Sequence, residues 1–127
     1  MQHPYAELIG LRIAEQRPGF SRCELAIEDK HLNPLRVVHG GVLYALADTG
    51  MGAALYPTLA HEEICATIQI VMNYFKPVRA GAIICASELI NRGKTVAHIE
   101  SRLYVDDALV AAANGNFSIF KPSRSAS

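Results

Sequence analysis

The chain has 127 residues, half of them hydrophobic and 19% charged, a globular composition at the size of one ordinary domain rather than that of a disordered segment. Twelve basic and twelve acidic residues give a formal net charge of zero, so the electrostatic footprint of a nucleic-acid or anionic-membrane binder is missing. The longest apolar stretch, Val42 to Tyr56, is too short to span a bilayer, and "MQHPYAELIG" lacks the basic region and apolar core of a signal peptide, so a cytoplasmic protein without membrane contact is expected.

In chain order, "HPYAELIGL" predicts a short amphipathic helix within an N-terminal arm, residues 1–10. "FSRCELAIE" alternates, with Ser21, Cys23, Leu25 and Ile27 on one side and mostly polar residues on the other, as a strand with one wet face does. "DKHLNPLRVVHGG" is a loop, and a helix from Gly40 to Tyr56 follows, stopped by Pro57. Its apolar residues occupy every angular position, so protein is expected around most of it.

After the helix the period changes to two. "ATIQIVMNYFKP" puts Ile68, Ile70, Met72 and Tyr74 on one face and Thr67, Gln69, Val71 and Asn73 on the other. "GAIICASELI" is largely apolar and predicts a central strand. "KTVAHIESRLYV" alternates, with Lys94, His98, Glu100 and Arg102 outward and Ala97, Ile99, Leu103 and Val105 inward; "ALVAAANGNFSIF" is the last strand. The short turns "NRG" and "DD" make these neighbours antiparallel hairpins, and "PSRSAS", residues 122–127, is expected to fray. One antiparallel sheet curled around one buried helix, an α+β fold spanning the single domain 1–127, satisfies the pattern.

Three cysteines, Cys23, Cys65 and Cys85, show no C-x-x-C spacing and are expected as reduced core filler. His3, His31, His61 and His98 share no metal-ligand spacing and "HEEIC" is not H-E-x-x-H, so no metal is expected. Asp48 is different: an acidic residue inside "VVHGGVLYALADTGMGAAL" is costly unless it is paired or used.

Asn33, five residues, then His39-Gly40-Gly41, with Asp48 seven residues beyond Gly41, resembles the hotdog-fold acyl-CoA thioesterases, most closely the phenylacetate-pathway and human-type branch. "TIQIVMNYFKPVRAG" and "NRGKTVAHIESRLYVDDALVAAANGNF" continue the likeness over nearly all of the chain beyond about Glu28. The resemblance implies a sheet wrapped around one long central helix and a homodimer, pairing further as a dimer of dimers, with active sites at the subunit interface. It also implies an acyl-CoA substrate with an aromatic or medium-chain acyl group and no cofactor beyond that substrate's coenzyme A. Carried over by position, Asp48 matches the catalytic carboxylate, Gly40 the backbone donor to the thioester carbonyl, and Asn33 a residue that orients water or substrate. Thr67 stands where the human-type enzymes have a serine assisting the carboxylate, and Arg36 where relatives often show a glycine.

The chemistry suits these residue types. A helix N-terminus offers unpaired amides and a dipole favouring an oxyanion, and Gly40 and Gly41 let a substrate carbonyl approach. An Asp48 carboxylate held in an apolar surround, its pKa raised by desolvation, is expected as general base or nucleophile. Asp48 lies eight residues past Gly40, about 12 Å along a helix, whereas both must reach one carbonyl group. The spacing therefore asks for a two-fold partner with its helix antiparallel.

His39 is expected to hydrogen-bond the loop and, with Gly41, to line the site; Arg79, Arg92 and Lys94 sit in or beside turns where they can meet coenzyme A phosphates. A non-catalytic acyl-CoA sensor on the same fold and an enoyl-CoA hydratase are the rival readings. The retained Asp48 speaks against the first, and the lack of a closely paired Asp and His at the helix start against the second.

Overall fold

The computed structural model describes residues 2–122, so all of the expected frayed tail but Pro122 lies outside the described residues. A six-residue helix α1 (Pro4–Ile9) leads into the hairpin β1 (Leu11–Arg17) and β2 (Phe20–Ala26); then come the long helix α2 (Gly40–Leu55) and four strands, β3 (Ile64–Tyr74), β4 (Ala82–Arg92), β5 (Val96–Val105) and β6 (Ala108–Phe120). All strand pairs are antiparallel and the sheet order is β1-β2-β4-β5-β6-β3. The sheet curls around α2, as expected.

Most of the expected elements appear, and the differences have local causes. The hairpin strand β1 was not expected. Its residues are mostly polar and exposed at a sheet edge, and the Pro18-Gly19 turn, with Gly19 at φ 84°, is its main sequence mark. The "DD" turn is as short as expected, with Asp106 and Asp107 both at positive φ. Tyr56 falls just outside α2, opening a 3₁₀ turn that Pro57 continues.

Strand β3 contains a bulge between Thr67 and Gln69, with Ile68 as the extra residue. The bulge flips the pleat: Thr67 faces α2 before it, whereas Ile70, Met72 and Tyr74 do so after it, and Ile68 is left 57% exposed instead of facing inward. The expected grouping of Thr67 with Gln69, Val71 and Asn73 is thus corrected.

The core lies between α2 and the inner face of the sheet, where Leu46, Met51, Leu55, Leu25, Ile83, Ile99 and Leu103 are sealed from water. At its centre α2 approaches the sheet at Gly50. Ser21 Oγ donates to the Gly50 carbonyl at 2.6 Å, and Ser87 and Ser101 hydroxyls bond each other at 2.7 Å beneath it. A Cβ on Gly50 would stand 2.5 Å from Ser87 Oγ. In an exposed helix Gly→Ala is stabilising by up to about 1 kcal/mol; here the sign reverses, because the methyl must displace a buried, bonded hydroxyl. Gly50→Ala is expected to lower unfolding free energy by about 2 kcal/mol in urea denaturation.

The helix is not surrounded on most sides within one chain. Gly41, Tyr44, Ala45, Asp48 and Gly52 form a stripe that is half-buried or exposed. It adjoins β3, a free edge that exposes Ile64, Ile68, Val71 and Tyr74, with Phe75 just beyond at 54%.

Candidate active site

Two side chains meet on the open stripe of α2. Thr67 Oγ1 donates to Asp48 Oδ1 at 2.7 Å, a contact created by the β3 bulge. Asp48 is half-buried, so its setting in the single chain is a hydroxyl partner and partial exposure, not the closed apolar surround expected from sequence. Cys65, one step along on the same face, has its thiol pushed up, first by burial and then by the nearby Asp48 charge. Cys23 and Cys85 are buried, with burial as the main cause pushing their thiols up to about 11 and about 12. All three are therefore poor thiolate nucleophiles.

The start of α2 is the second part of the site. His39 is the N-cap residue, its Nδ1 accepting from the Gly41 amide at 2.8 Å. With Nδ1 accepting, the ring proton sits on Nε2. A Cβ on Gly41 would lie 2.9 Å from that Nδ1, which accounts for the second glycine of the motif. The Gly40 amide has no partner among the described residues, while its carbonyl accepts from the Tyr74 hydroxyl at 2.8 Å. The Tyr74 ring also packs 3.3 Å from where a Gly40 Cβ would be. The phenol is pushed up by burial and by neighbouring Tyr44, so it stays a neutral donor. In sequence this contact has no mark beyond the alternation that places Tyr74 on the same strand face as Ile70 and Met72.

The loop before the helix is held by its own side chains. Asn33 Oδ1 accepts from the Leu35 amide at 2.9 Å and the Val37 amide at 3.3 Å, while Nδ2 has no bonded partner among the described residues. Arg36 adopts φ 64°, the left-handed conformation that glycine takes most readily, and its guanidinium reaches Asp29 at 3.2 Å. Buried His31 braces the same loop, with Nδ1 accepting from the Glu28 amide and Nε2 2.6 Å from the Ile9 carbonyl. Sequence reasoning gave His31 no role, because nothing in its spacing distinguishes a buried brace from a surface histidine.

The basic candidates separate. Arg79 and Lys94 are exposed turn residues without a bonded partner among the described residues. Arg92 is committed elsewhere: its guanidinium binds Glu63 at 2.9 Å and both the carbonyl and hydroxyl of Thr58, which pins the segment after α2. The Ala60 amide foremost, then Arg92, holds the Glu63 carboxyl below its ordinary range. Arg92 is thus a structural brace here and not a free phosphate ligand.

Two open grooves flank the start of α2. One, of about 510 Å³, runs between α1 and α2 past Tyr5, Leu8, Ile9, Leu32, His39 and Val42; the other, of about 290 Å³, lies between Gly40, Leu43, Tyr74, Phe75 and Val78. Among the described residues no three His, Cys, Asp or Glu side chains gather around a common point, and no helix is long and apolar enough to cross a membrane.

Comparison with known proteins gives concordant findings. The sequence pattern of the thioesterase superfamily matches residues 35–112. Human acyl-coenzyme A thioesterase 13 is 29% identical over 90 residues, covering 68% of this chain and 62% of that protein. The 1,4-dihydroxy-2-naphthoyl-CoA hydrolase of Listeria monocytogenes is 27% identical over 89 residues, covering 70% and 72%. A solved variant of the phenylacetic acid degradation protein PaaI from Thermus thermophilus superposes with a TM-score of 0.85 at 26% identity, over 91% of this chain and 98% of that one.

Proposed function

Because this chain belongs to the thioesterase superfamily and is a thioester hydrolase, we propose that it cleaves acyl-CoA thioesters to free acid and coenzyme A at sites shared by two copies of the chain. The observation that carries the reading is one of distance. Asp48, bonded to Thr67, and the unpartnered Gly40 amide lie on one helix that begins at Gly40, so they are about 12 Å apart along its axis. One thioester carbonyl cannot meet both groups of one protomer. A two-fold partner laying its β3 antiparallel along this β3 covers the exposed apolar edge and sets the two α2 helices side by side. Asp48 of each copy then approaches Gly40 of the other.

In that composite site the Gly40 amide donates to the thioester oxygen as negative charge develops there. Asp48 supplies either the base for a water molecule or the attacking oxygen, with Thr67 fixing its orientation. Asn33, its Oδ1 engaged by the loop, offers Nδ2 to water or substrate. His39 and Gly41 line the entry, and of the three basic candidates Arg79 and Lys94 are free to meet the coenzyme A phosphates. No cofactor beyond the substrate's own coenzyme A takes part. An aromatic or medium-chain acyl group suits the apolar groove between α1 and α2, and the Listeria relative is a hydrolase of an aromatic acyl-CoA. By resemblance the dimers pair again as tetramers. The proposed setting is the cytoplasm, in keeping with three scattered cysteines that form no C-x-x-C pair.

The test is thiol release from a panel of aromatic and straight-chain acyl-CoAs, with the parent beside Asp48→Ala. Turnover lost in the variant is expected; tight binding without release, or hydration of an enoyl thioester, contradicts the reading.

A further inference from the structure

We infer that Tyr74 is a positioning residue, whose hydroxyl on the Gly40 carbonyl, with His39 on the Gly41 amide, clamps the Gly40–Gly41 peptide and so aims the free Gly40 amide at the substrate. The inference rests on the proposed thioesterase site. Two consecutive glycines give this backbone the widest conformational freedom available to a chain. The motif needs both: a Cβ at Gly41 would crowd His39 Nδ1, and one at Gly40 would press on the Tyr74 ring. A donor that stabilises an oxyanion is effective only when it is already aimed, because small misplacements of reacting groups cost large factors in rate.

The structure meets this need with side chains. One end of the Gly40–Gly41 peptide is fixed by His39 Nδ1 accepting from the Gly41 amide at 2.8 Å. The other end is fixed by the Tyr74 hydroxyl donating to the Gly40 carbonyl at 2.8 Å, from a strand thirty-four residues away in sequence. With that peptide held at both ends, ψ of Gly40 is restrained. The His39 carbonyl, accepting from the Val42 amide at 2.9 Å, restrains the preceding peptide, which bears the Gly40 N–H. Tyr74 therefore acts through Gly40 without touching the reacting atoms. Its place at the end of β3 also ties the donor to the strand that aligns Thr67 on Asp48.

The variant Tyr74→Phe removes the hydroxyl and leaves the ring packed on Gly40. Its kcat on the best acyl-CoA is expected to fall about tenfold with KM within about twofold, since the loss is one of transition-state stabilisation. Melting temperature and dimer content should stay at the parent's values. Selective ¹⁵N-glycine labelling of the nine glycines should show faster motion or altered exchange at the Gly40 and Gly41 amides in the variant. A kcat within twofold of the parent, a loss of rate with those amides unchanged, a rise in KM alone, or a loss that tracks stability or dimer content overturns the inference. Should the parent itself release no thiol, the proposed function fails, and the glycine amides still decide whether Tyr74 holds the clamp.

Discussion

Asp48→Ala is expected to lower kcat for thiol release by about a hundredfold or more, as for removal of a positioned acid–base group, while leaving the fold intact. The carboxylate sits on a half-open stripe with one hydroxyl partner, and removing it exposes Thr67 Oγ1 to water rather than orphaning it in the core. Denaturation in urea should therefore show no loss of stability, which separates a chemical role from a structural one. Asp48→Asn keeps the shape and a hydrogen-bonding oxygen for Thr67. It should be nearly as inactive, because an amide is neither a base nor a nucleophile at neutral pH. An alanine variant retaining more than a tenth of parental kcat would remove Asp48 from the chemistry.

Gly40→Pro is expected to cut kcat by about a hundredfold with little change in KM, the effect of deleting one oxyanion donor. Proline suits this position unusually well. It deletes the Gly40 N–H and nothing else of the hydrogen-bond pattern, and the first helical residue is where proline is best tolerated. The preceding His39, at φ −58° and ψ 134°, already has the extended conformation that a following proline demands. The cost is a ring carbon near the Tyr74 ring, where 3.3 Å must open by a few tenths of an ångström. Circular dichroism and melting close to the parent's, together with lost turnover, would assign the rate effect to the missing amide.

Much of this was legible in sequence because the relevant signals are local. The helix from Gly40 has a glycine pair at its start and Pro57 as its stop, and the inward set of β5 alternates without a break. The expected turns were short enough to fix antiparallel neighbours. The bulge at Ile68 was not legible, since "ATIQIV" contains no glycine or proline to mark it, and one extra residue there exchanges the faces of Thr67 and Ile68. Nor could the apolar helix reveal its open stripe: Tyr44 and Ala45 look the same whether their cover is this sheet or a second chain. Arg92 and Lys94 share one turn and one charge. Only the fold distinguishes the guanidinium fixed on Glu63 and Thr58 from the free ammonium beside it.

Mixing two inactive variants tests the shared site most directly. Dimers of Asp48→Ala are combined with dimers of Gly40→Pro under conditions that allow subunits to exchange, and thiol release is followed. In a mixed dimer, the Asp48 of the Gly40→Pro chain faces the intact Gly40 amide of the Asp48→Ala chain, so one of the two sites is whole. Random exchange at equal concentrations makes half of the dimers mixed, and about a quarter of parental activity should return. If mixed dimers form, as native mass spectrometry would report, and activity stays at the level of the separate variants, Asp48 and Gly40 do not act across the two chains.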